Sequence, residues 1–369
     1  MADYTLYRAK VTLLTPLHIG SGETLLHRYD YAIHDRRTWR LDGDAILDAQ
    51  NLDDPALVAR LAATPPADLL DRSRDYVPDN GLFRYVINGT PRSRAEGAQL
   101  IEQIKNACDR PYLPGTSLKG ALRTALLWEA WERRGLQPAM NQLNRSGRFA
   151  AQRYERDLLG RNPNQDLLRA LHVSDSASVG ADALMVANAQ VIHQSGDLAS
   201  PIEMEALKPD TVLELTLKVD DALFSAWAER AHLRGRTLLE HLPQVVQRHT
   251  AQRVETEMAW FKEVRSARAI YDFYRQLPTS GLPDHLCLLQ VGWGTGWDDK
   301  TFGSRLRADP RFMEDVISRY KLARRPRERG DPFPKSRRVL VGVHQTHDGR
   351  RLERPQSTVG WVLLELSKA

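Results

Sequence analysis

The chain has 369 residues, 42% of them hydrophobic and 27% charged. That is enough for two domains of ordinary size around a true core, and it excludes a disordered or fibrous chain. A formal net charge of +5 favours an anionic partner, while 2 cysteines, Cys108 and Cys287, far apart in sequence, exclude a disulfide framework and a four-thiolate zinc site.

The 11 histidines show no His-Glu-x-x-His spacing, and His344 and His347 lack an obvious third ligand, so neither a metal nor a cofactor is expected. No stretch approaches the roughly 18 apolar residues of a transmembrane helix. Met1-Ala2-Asp3-Tyr4 is not the basic start of a signal peptide. A cytoplasmic protein without a membrane partner is expected.

Residues 4–15 read as a strand, with Leu6, Ala9, Val11 and Leu13 interleaved with Arg8, Lys10 and Thr12. It runs into Thr15-Pro16-Leu17-His18-Ile19-Gly20-Ser21-Gly22. Gly20, Ser21 and Gly22 read as a loop whose backbone N–H groups can form an anion-binding nest. His18 is a candidate either for proton transfer or for orienting this loop or contacting ligand without chemistry; no second acid or base is tied to it by spacing, which favours the reading without chemistry. Residues 29–33 and 38–41 read as an extended pair turned at 35–37. Residues 42–110 read as an irregular insertion, with an acidic helix-like piece from Asp44 to Ala63 and a short strand at 82–87. Such a segment is a poor place for core residues and a natural place for partner contact.

Pro114-Gly115-Thr116-Ser117-Leu118-Lys119-Gly120-Ala121-Leu122-Arg123-Thr124 reads as a loop turning into a helix that runs to Arg134 and stops at Gly135. Thr116 or Ser117 is the expected N-cap. Leu118, Ala121, Leu122, Ala125 and Leu126 form one apolar stripe, and Lys119 and Arg123 stack one turn apart beside it. A helix start with a Lys and an Arg suits a phosphate; a solvated helix face is the plain alternative. The order is not that of a Walker A loop, because Lys119 precedes Gly120. A basic helical stretch follows over 145–170, then strands at 171–176, 183–192, 201–207 and 211–219.

The second half reads as a long helix from Leu238 to Arg275, a strand at 285–291, and a glycine loop, Gly292-Trp293-Gly294-Thr295-Gly296, followed by Lys300 and Thr301. The loop is not the dinucleotide fingerprint, which needs two residues before its third glycine. Trp293 and Trp297 are candidates for loop anchors or for base stacking. A short helix at 310–322 follows, then a basic run containing Arg324, Arg325, Arg327, Arg329, Lys335, Arg337 and Arg338, then strands at 339–343 and 359–366. The order strand, insertion, helix, strands in the first half matches a ferredoxin-like or RNA-recognition-type unit, and the second half repeats its ingredients. The expected fold is α+β, two ferredoxin-like domains with insertions. The first spans 1–219 with the insertion at about 42–110, and the second spans 220–369.

The Thr15–Gly22 stretch, the Pro114–Gly120 stretch with Arg123, and the Gly292–Gly296 loop with Lys300-Thr301 together resemble the RAMP proteins of CRISPR systems. The resemblance spans about residue 5 to residue 366 and is thin over 42–110 and 140–170. The two-domain length, Phe333-Pro334-Lys335-Ser336-Arg337-Arg338 and Gly360-Trp361-Val362 are similar to one member of that family, a subunit of the type III-A (Csm) effector complex. The resemblance implies a non-catalytic RNA-binding subunit in antiviral defence. Such a subunit caps the assembly at the 3′ end of the CRISPR RNA and supports guide maturation. The implied partners are the CRISPR RNA, a backbone RAMP subunit and the small helical subunit, with target RNA met indirectly and host nucleases as further partners. Carried over residue by residue, His18, Gly20, Ser21, Gly22, Thr116, Ser117, Lys119, Arg123, Gly294, Thr295, Gly296 and Lys300 are the candidate guide contacts or supports of them. Two rival readings stand beside this one. The first is an enzyme, either a target-cleaving backbone subunit using Asp30 or Asp35 or a guide-processing ribonuclease using His18. The second is a protein–protein adaptor docking through the acidic 42–79 region.

Overall fold

The computed structural model describes residues 4–50, 58, 61, 63–225, 233–323, 327, 328, 330–345 and 351–369. In chain order the strands are β1 (Thr5–Leu13), β2 (Gly20–Leu26), β3 (Tyr31–His34), β4 (Arg37–Leu41), β5 (Phe83–Asn88), β6 (Gln99–Gln103), β7 (Leu171–Val173), β8 (Leu184–His193), β9 (Leu198–Leu207), β10 (Val212–Val219), β11 (Leu286–Gln290), β12 (Ser336–Gln345), β13 (Arg351–Ser357) and β14 (Trp361–Lys368). The α-helices are α1 (Gly43–Asp48), α2 (Gly115–Arg133), α3 (Gln152–Leu159), α4 (Arg236–Glu240), α5 (Leu242–Lys262), α6 (Arg268–Gln276), α7 (Trp297–Lys300), α8 (Gly303–Leu306) and α9 (Pro310–Arg319). The chain is thus a mixed α/β protein.

Five strands in the order β11-β14-β1-β10-β7, each antiparallel to its neighbours, form the first sheet. Its alternation follows the sequence. Ala9, Val11 and Leu13 are buried while Arg8 and Lys10 face water, and Leu213, Leu215, Leu217 and Val219 point the same way from β10. On the buried face lie α2 and α5, packed against each other, with α5 over β11. Strands from 1–219 and from 220–369 are hydrogen-bonded into this one sheet, the first strand of the chain lying beside the last.

The second sheet runs β2-β6-β9-β8-β5-β4-β3, with β12 paired to the far end of β8 and β13 to β12. Its strands correct several sequence expectations. Residues 42–110 contribute β5 and β6, and Ile87 and Leu100 are fully buried, so this stretch supplies core. The expected helix at Asp44–Ala63 is α1 for its first turns, started by the Asp42 side chain accepting from Ala45 N–H at 3.1 Å; most of its remainder lies outside the described residues. Gly20–Gly22 is the start of β2 rather than a loop, with its pairing to β6 irregular between Gly20 and Thr24.

Three helical expectations also change. The Leu238–Arg275 helix is three helices: Pro243 opens a new one at α5, where a missing N–H costs nothing, and buried Val264 and Ala267 turn the chain again before α6. The 145–170 stretch is one helix, α3, between short 3-10 turns. At the start of α2 neither Thr116 nor Ser117 caps; the N-cap is Pro114, and Gly115 N–H donates instead to the Asp175 carboxylate at 2.8 Å. Arg324, Arg325, Arg329 and His347 lie outside the described residues. Among the described residues no helix is long and apolar enough to cross a membrane.

Gly115 sets how closely α2 approaches β7, because a Cβ there would overlap the carbonyl oxygens of Val173 and Ser174. Gly115→Ala is expected to lower stability by about 1–3 kcal/mol, read as an earlier urea midpoint, because both clashing atoms belong to backbone that cannot swing aside. An unchanged midpoint would contradict this packing.

Candidate nucleic-acid interface

The residues between β1 and β2 are hydrogen-bonded to three distant stretches of chain. Leu14 N–H donates to Trp361 O at 2.8 Å, and Gly360 N–H donates to Pro16 O at 2.8 Å. Leu17 and Leu207 exchange both backbone bonds, at 3.0 and 2.8 Å. Trp293 N–H donates to His18 O at 2.8 Å. The first glycine motif and the third are therefore in direct contact. Gly292 makes this possible: its φ is +85°, and a Cβ would lie 2.5 Å from His18 O.

His18 is 1% exposed, with Nδ1 2.6 Å from Glu205 O. A carbonyl only accepts, so Nδ1 carries the proton and Nε2 is the acceptor, facing Gly20. Burial, with the charge of Lys105 adding to it, lowers the ring's pKa to about 4 even though the Glu205 bond favours the charged form. The imidazole is thus neutral at pH 7 and tied at one nitrogen, the arrangement of a loop-orienting residue. Behind it, the fully buried Glu205 carboxylate accepts from Tyr85 OH (2.9 Å), Gln103 N–H (3.0 Å) and Lys105 Nζ (2.6 Å). Gln103 in turn accepts from Ile19 N–H at 2.9 Å, which fixes the chain on the other side of His18.

Beyond Trp293 the loop opens onto a cavity of about 780 Å3. Gly294 and Gly296 both hold positive φ, +86° and +93°. The N–H groups of Gly294, Thr295 and Gly296 have no acceptor among the described residues, while Thr295 is itself buried. Trp297 and Phe333, edge to face at 5.3 Å, and the cations Arg327, Lys335 and Arg338 complete the rim. Trp293 is an anchor, held between His18 and the Arg338 guanidinium, 4.8 Å from its ring centre. Unsatisfied N–H donors among cations are the chemistry that receives a phosphate.

The floor of the cavity is a buried charge cluster. Arg253, 2% exposed, donates to Asp299 (3.0 and 3.2 Å), Asp298 (3.2 Å) and Glu257 (3.2 Å). Arg337 holds Glu257 at 2.8 and 3.0 Å, and Arg307 holds Asp298 at 2.6 Å. Burial pushes Glu257 up, but Arg337 and Arg253 outweigh it and hold the carboxyl below its usual range. For Asp299 burial wins over Arg253 and lifts the carboxyl to about 6. This cluster escaped the sequence reading. The available signal was the run Val246, Thr250, Arg253, Glu257, Trp260, which puts an i,i+4 ion pair inside the apolar stripe of α5.

The other site residues lie elsewhere. Ser21 OH donates to Glu102 at 2.9 Å on the exposed start of β2, beside Gly20 and Gly22. Lys300 is exposed at the end of α7, close enough to Arg338 to feel its charge. Thr116, Ser117, Lys119 and Arg123 occupy the first half of α2, whereas α7 and α8 meet its second half, where Trp131 packs on Phe302 and Trp128 donates to Ser304 at 3.0 Å. At about 1.5 Å per residue, Lys119 is about 18 Å of helix away from Trp131. Asp30 accepts from Leu26 N–H at 2.8 Å, and Asp35 is an exposed turn residue with φ +46°; neither lines the cavity.

The sequence profile of the RAMP superfamily matches residues 10–298. The chain belongs to the RAMP superfamily. Among curated RAMP relatives it is 25% identical over 245 residues to a CRISPR system Cms protein Csm5 of Streptococcus thermophilus, covering 60% of this chain and 66% of that one. It is 21% identical over 306 residues to the Csm5 of Methanocaldococcus jannaschii, covering 79% and 72%. It is 29% identical over 211 residues to that of Mycobacterium tuberculosis, covering 54% and 51%. The match thus spans just under two thirds of the first relative's length and about half of the third's. Among solved structures, it resembles a chain in the cryo-EM structure of a Csm-crRNA-target RNA ternary complex of a type III-A CRISPR-Cas system. The identity there is 26% and the TM-score 0.70, over 97% of this chain and 100% of that one. The crystal structure of T. onnurineus Csm5, at 22% identity and TM-score 0.60 over 96% and 99%, shares the fold.

Asp299 makes the cluster pH-sensitive. Its folded pKa of about 6 lies above the ordinary carboxylate range. Its contribution to stability is therefore fully present below the unfolded pKa and is lost as pH rises through about 6. Urea midpoints of wild type and Asp299→Asn, compared from pH 5 to pH 7.5, are expected to show the wild type losing ground relative to the variant as pH rises. A difference that does not change with pH would contradict the burial of this carboxyl.

Proposed function

We propose that this RAMP chain serves as the Csm5-type RNA-binding subunit of a type III-A CRISPR effector complex. In that role it holds the CRISPR RNA at the 3′ end of the assembly and supports guide maturation. The observation that carries this reading is the likeness, over essentially the whole length of both chains, to a chain found in a Csm-crRNA-target RNA complex. The site adds chemistry to it: the segment that follows β1 meets the Gly292–Gly296 loop beside a cavity rimmed by Arg327, Lys335 and Arg338. Its partners are the guide, a backbone RAMP subunit and the small helical subunit, with target RNA reached through guide pairing and nucleases recruited from the host. We read the β1-α2-β7-β10-α5 order with β14 beside β1 as one ferredoxin-like unit, and the 220–369 span as a second, diverged one that shares its sheets.

The mechanism is grip rather than chemistry. Backbone N–H groups of Gly294, Thr295 and Gly296, with Lys300 at the exposed edge, would receive guide phosphates without reading bases. His18 orients the loop they sit on. A neutral, buried histidine tied to a carbonyl, and Asp30 and Asp35 held outside the cavity, support a non-catalytic subunit over a nuclease.

Recovery of the tagged chain from its native host, with sequencing of bound RNA and identification of bound proteins, tests this reading. Repeat-derived guides together with other RAMP subunits are expected. In the same complex Lys300→Ala is expected to flatten the salt dependence of guide retention by about 0.7 in log–log slope, the value of one phosphate on a single strand. Recovery without guide or RAMP partner would leave the likeness as one of fold alone.

A further inference from the structure

The first half of α2 forms one wall of a second cleft, of about 570 Å3, and α3 with residues 160–169 forms the other. Lys119 and Arg123 line it from α2, and Arg156, Arg161 and Arg169 from the opposite side. Against these five cations stand two carboxylates, Glu155 and Asp166, and one arginine occupies both. Arg123 donates to Glu155 at 3.0 Å and to Asp166 at 3.4 Å. Asp166 also accepts from Leu168 N–H at 2.8 Å, capping the turn that carries the far wall. Arg123 is thus a bolt between the walls. Arg169 is spent on the Asn164 carbonyl at 3.0 Å.

Lys119, Arg156 and Arg161 remain. None of them makes a side-chain hydrogen bond or ion pair with any described residue. Lys119 is half-buried, and the loss of water around its ammonium already pulls its pKa below the usual lysine value. An anion entering the cleft would restore what burial has taken from it. Two amides, Gln152 and Asn162, supply further polar contact, whereas Leu168 and Pro163 are the main apolar lining. An acidic peptide would find charge there but no pocket for its side chains; a phosphodiester strand needs only charge and N–H donors.

We propose that this cleft is a second grip on the guide strand, in which Lys119, Arg156 and Arg161 take consecutive phosphates and Arg123 is a positioning residue that holds the cleft open. This rests on the RNA-carrying role proposed above. It assigns contacts to α3 and the 160–169 loop, where the family resemblance is thinnest. Along α2, Lys119 lies about 18 Å from Trp131, which packs on Phe302 between α7 and α8.

The test is guide retention by the reconstituted complex, titrated with salt, for the wild type, for Lys119→Gln/Arg156→Gln/Arg161→Gln and for Arg161→Glu alone. The triple variant is expected to lose about 2 from the log–log salt slope, three phosphates at about 0.7 each. Its melting temperature should be unchanged, because none of the three residues holds a partner. Arg161→Glu, in an exposed loop, is expected to lower the slope by at least about 0.7. Arg123→Gln should lower both the melting temperature and retention, as a bolt would. Unchanged slopes in the triple variant and in Arg161→Glu, with wild type binding guide, would overturn the second grip and leave the RNA-carrying role standing. Loss of a protein subunit with guide retained would overturn it in favour of an acidic protein partner. A wild-type complex that retains no guide would overturn the RNA-carrying role itself.

Discussion

Everything in this fold passes through the backbone of residues 14–18. Six backbone hydrogen bonds join that short segment to Trp361 and Gly360 at the end of the first sheet, to Leu207 in the second, and to Trp293 in the glycine loop. A segment that has left β1 and not yet entered β2 would otherwise bury its peptide groups unpaired, at a cost of several kcal/mol. The neighbours that satisfy it are the elements that must converge to form the cavity. Gly292 and Gly360 are the steric condition: each has positive φ, and a Cβ at either would run into the backbone of the crossing, His18 at one and Val291 at the other. Stability and site are here the same set of contacts.

Charge is sorted by depth around that crossing. Deep under the cavity, Arg253, Arg307 and Arg337 face Glu257, Asp298 and Asp299 in a closed network, which adds little net field outward but specifies how α5, α7 and β12 meet. Nearer the surface the cations outnumber the acids, at the cavity rim and again at the cleft beside α2. Such a distribution attracts a polyanion over a distance set by salt and holds it without base contacts. It fits a subunit that positions a guide whose sequence is read by pairing elsewhere.

What could be read in the sequence were elements whose local pattern and burial agree. Leu118, Leu122, Ala125 and Leu126 are spaced as a helix stripe and are buried as one. Ala9, Val11 and Leu13 alternate as a strand and line the core. Polar residues that face inward were hidden: β6, which buries Gln103 completely, was missed as an element, and in α5, whose helicity was expected, the buried Arg253 and Glu257 look like surface. Of the candidate site, the glycines at 292–296 were legible because positive φ leaves few alternatives to glycine. Their contact with His18 was not, since nothing local marks a partner so far along the chain. Arg123 shows the converse limit. Its spacing from Lys119 suggests a phosphate contact, but the carboxylates that claim it come from α3 and the 160–169 turn, which sequence alone could not bring alongside.

The most direct test of the central claim, that the guide lies at the cavity beside the Gly292–Gly296 loop, is zero-length photocrosslinking of the assembled complex carrying a 4-thiouridine guide, with the crosslinked peptides mapped by mass spectrometry. The account expects crosslinks within 292–300 and 333–338, at the rim of the larger cavity. Crosslinks confined to other surfaces, such as the exposed face of the first sheet around Arg8 and Lys10, would contradict it.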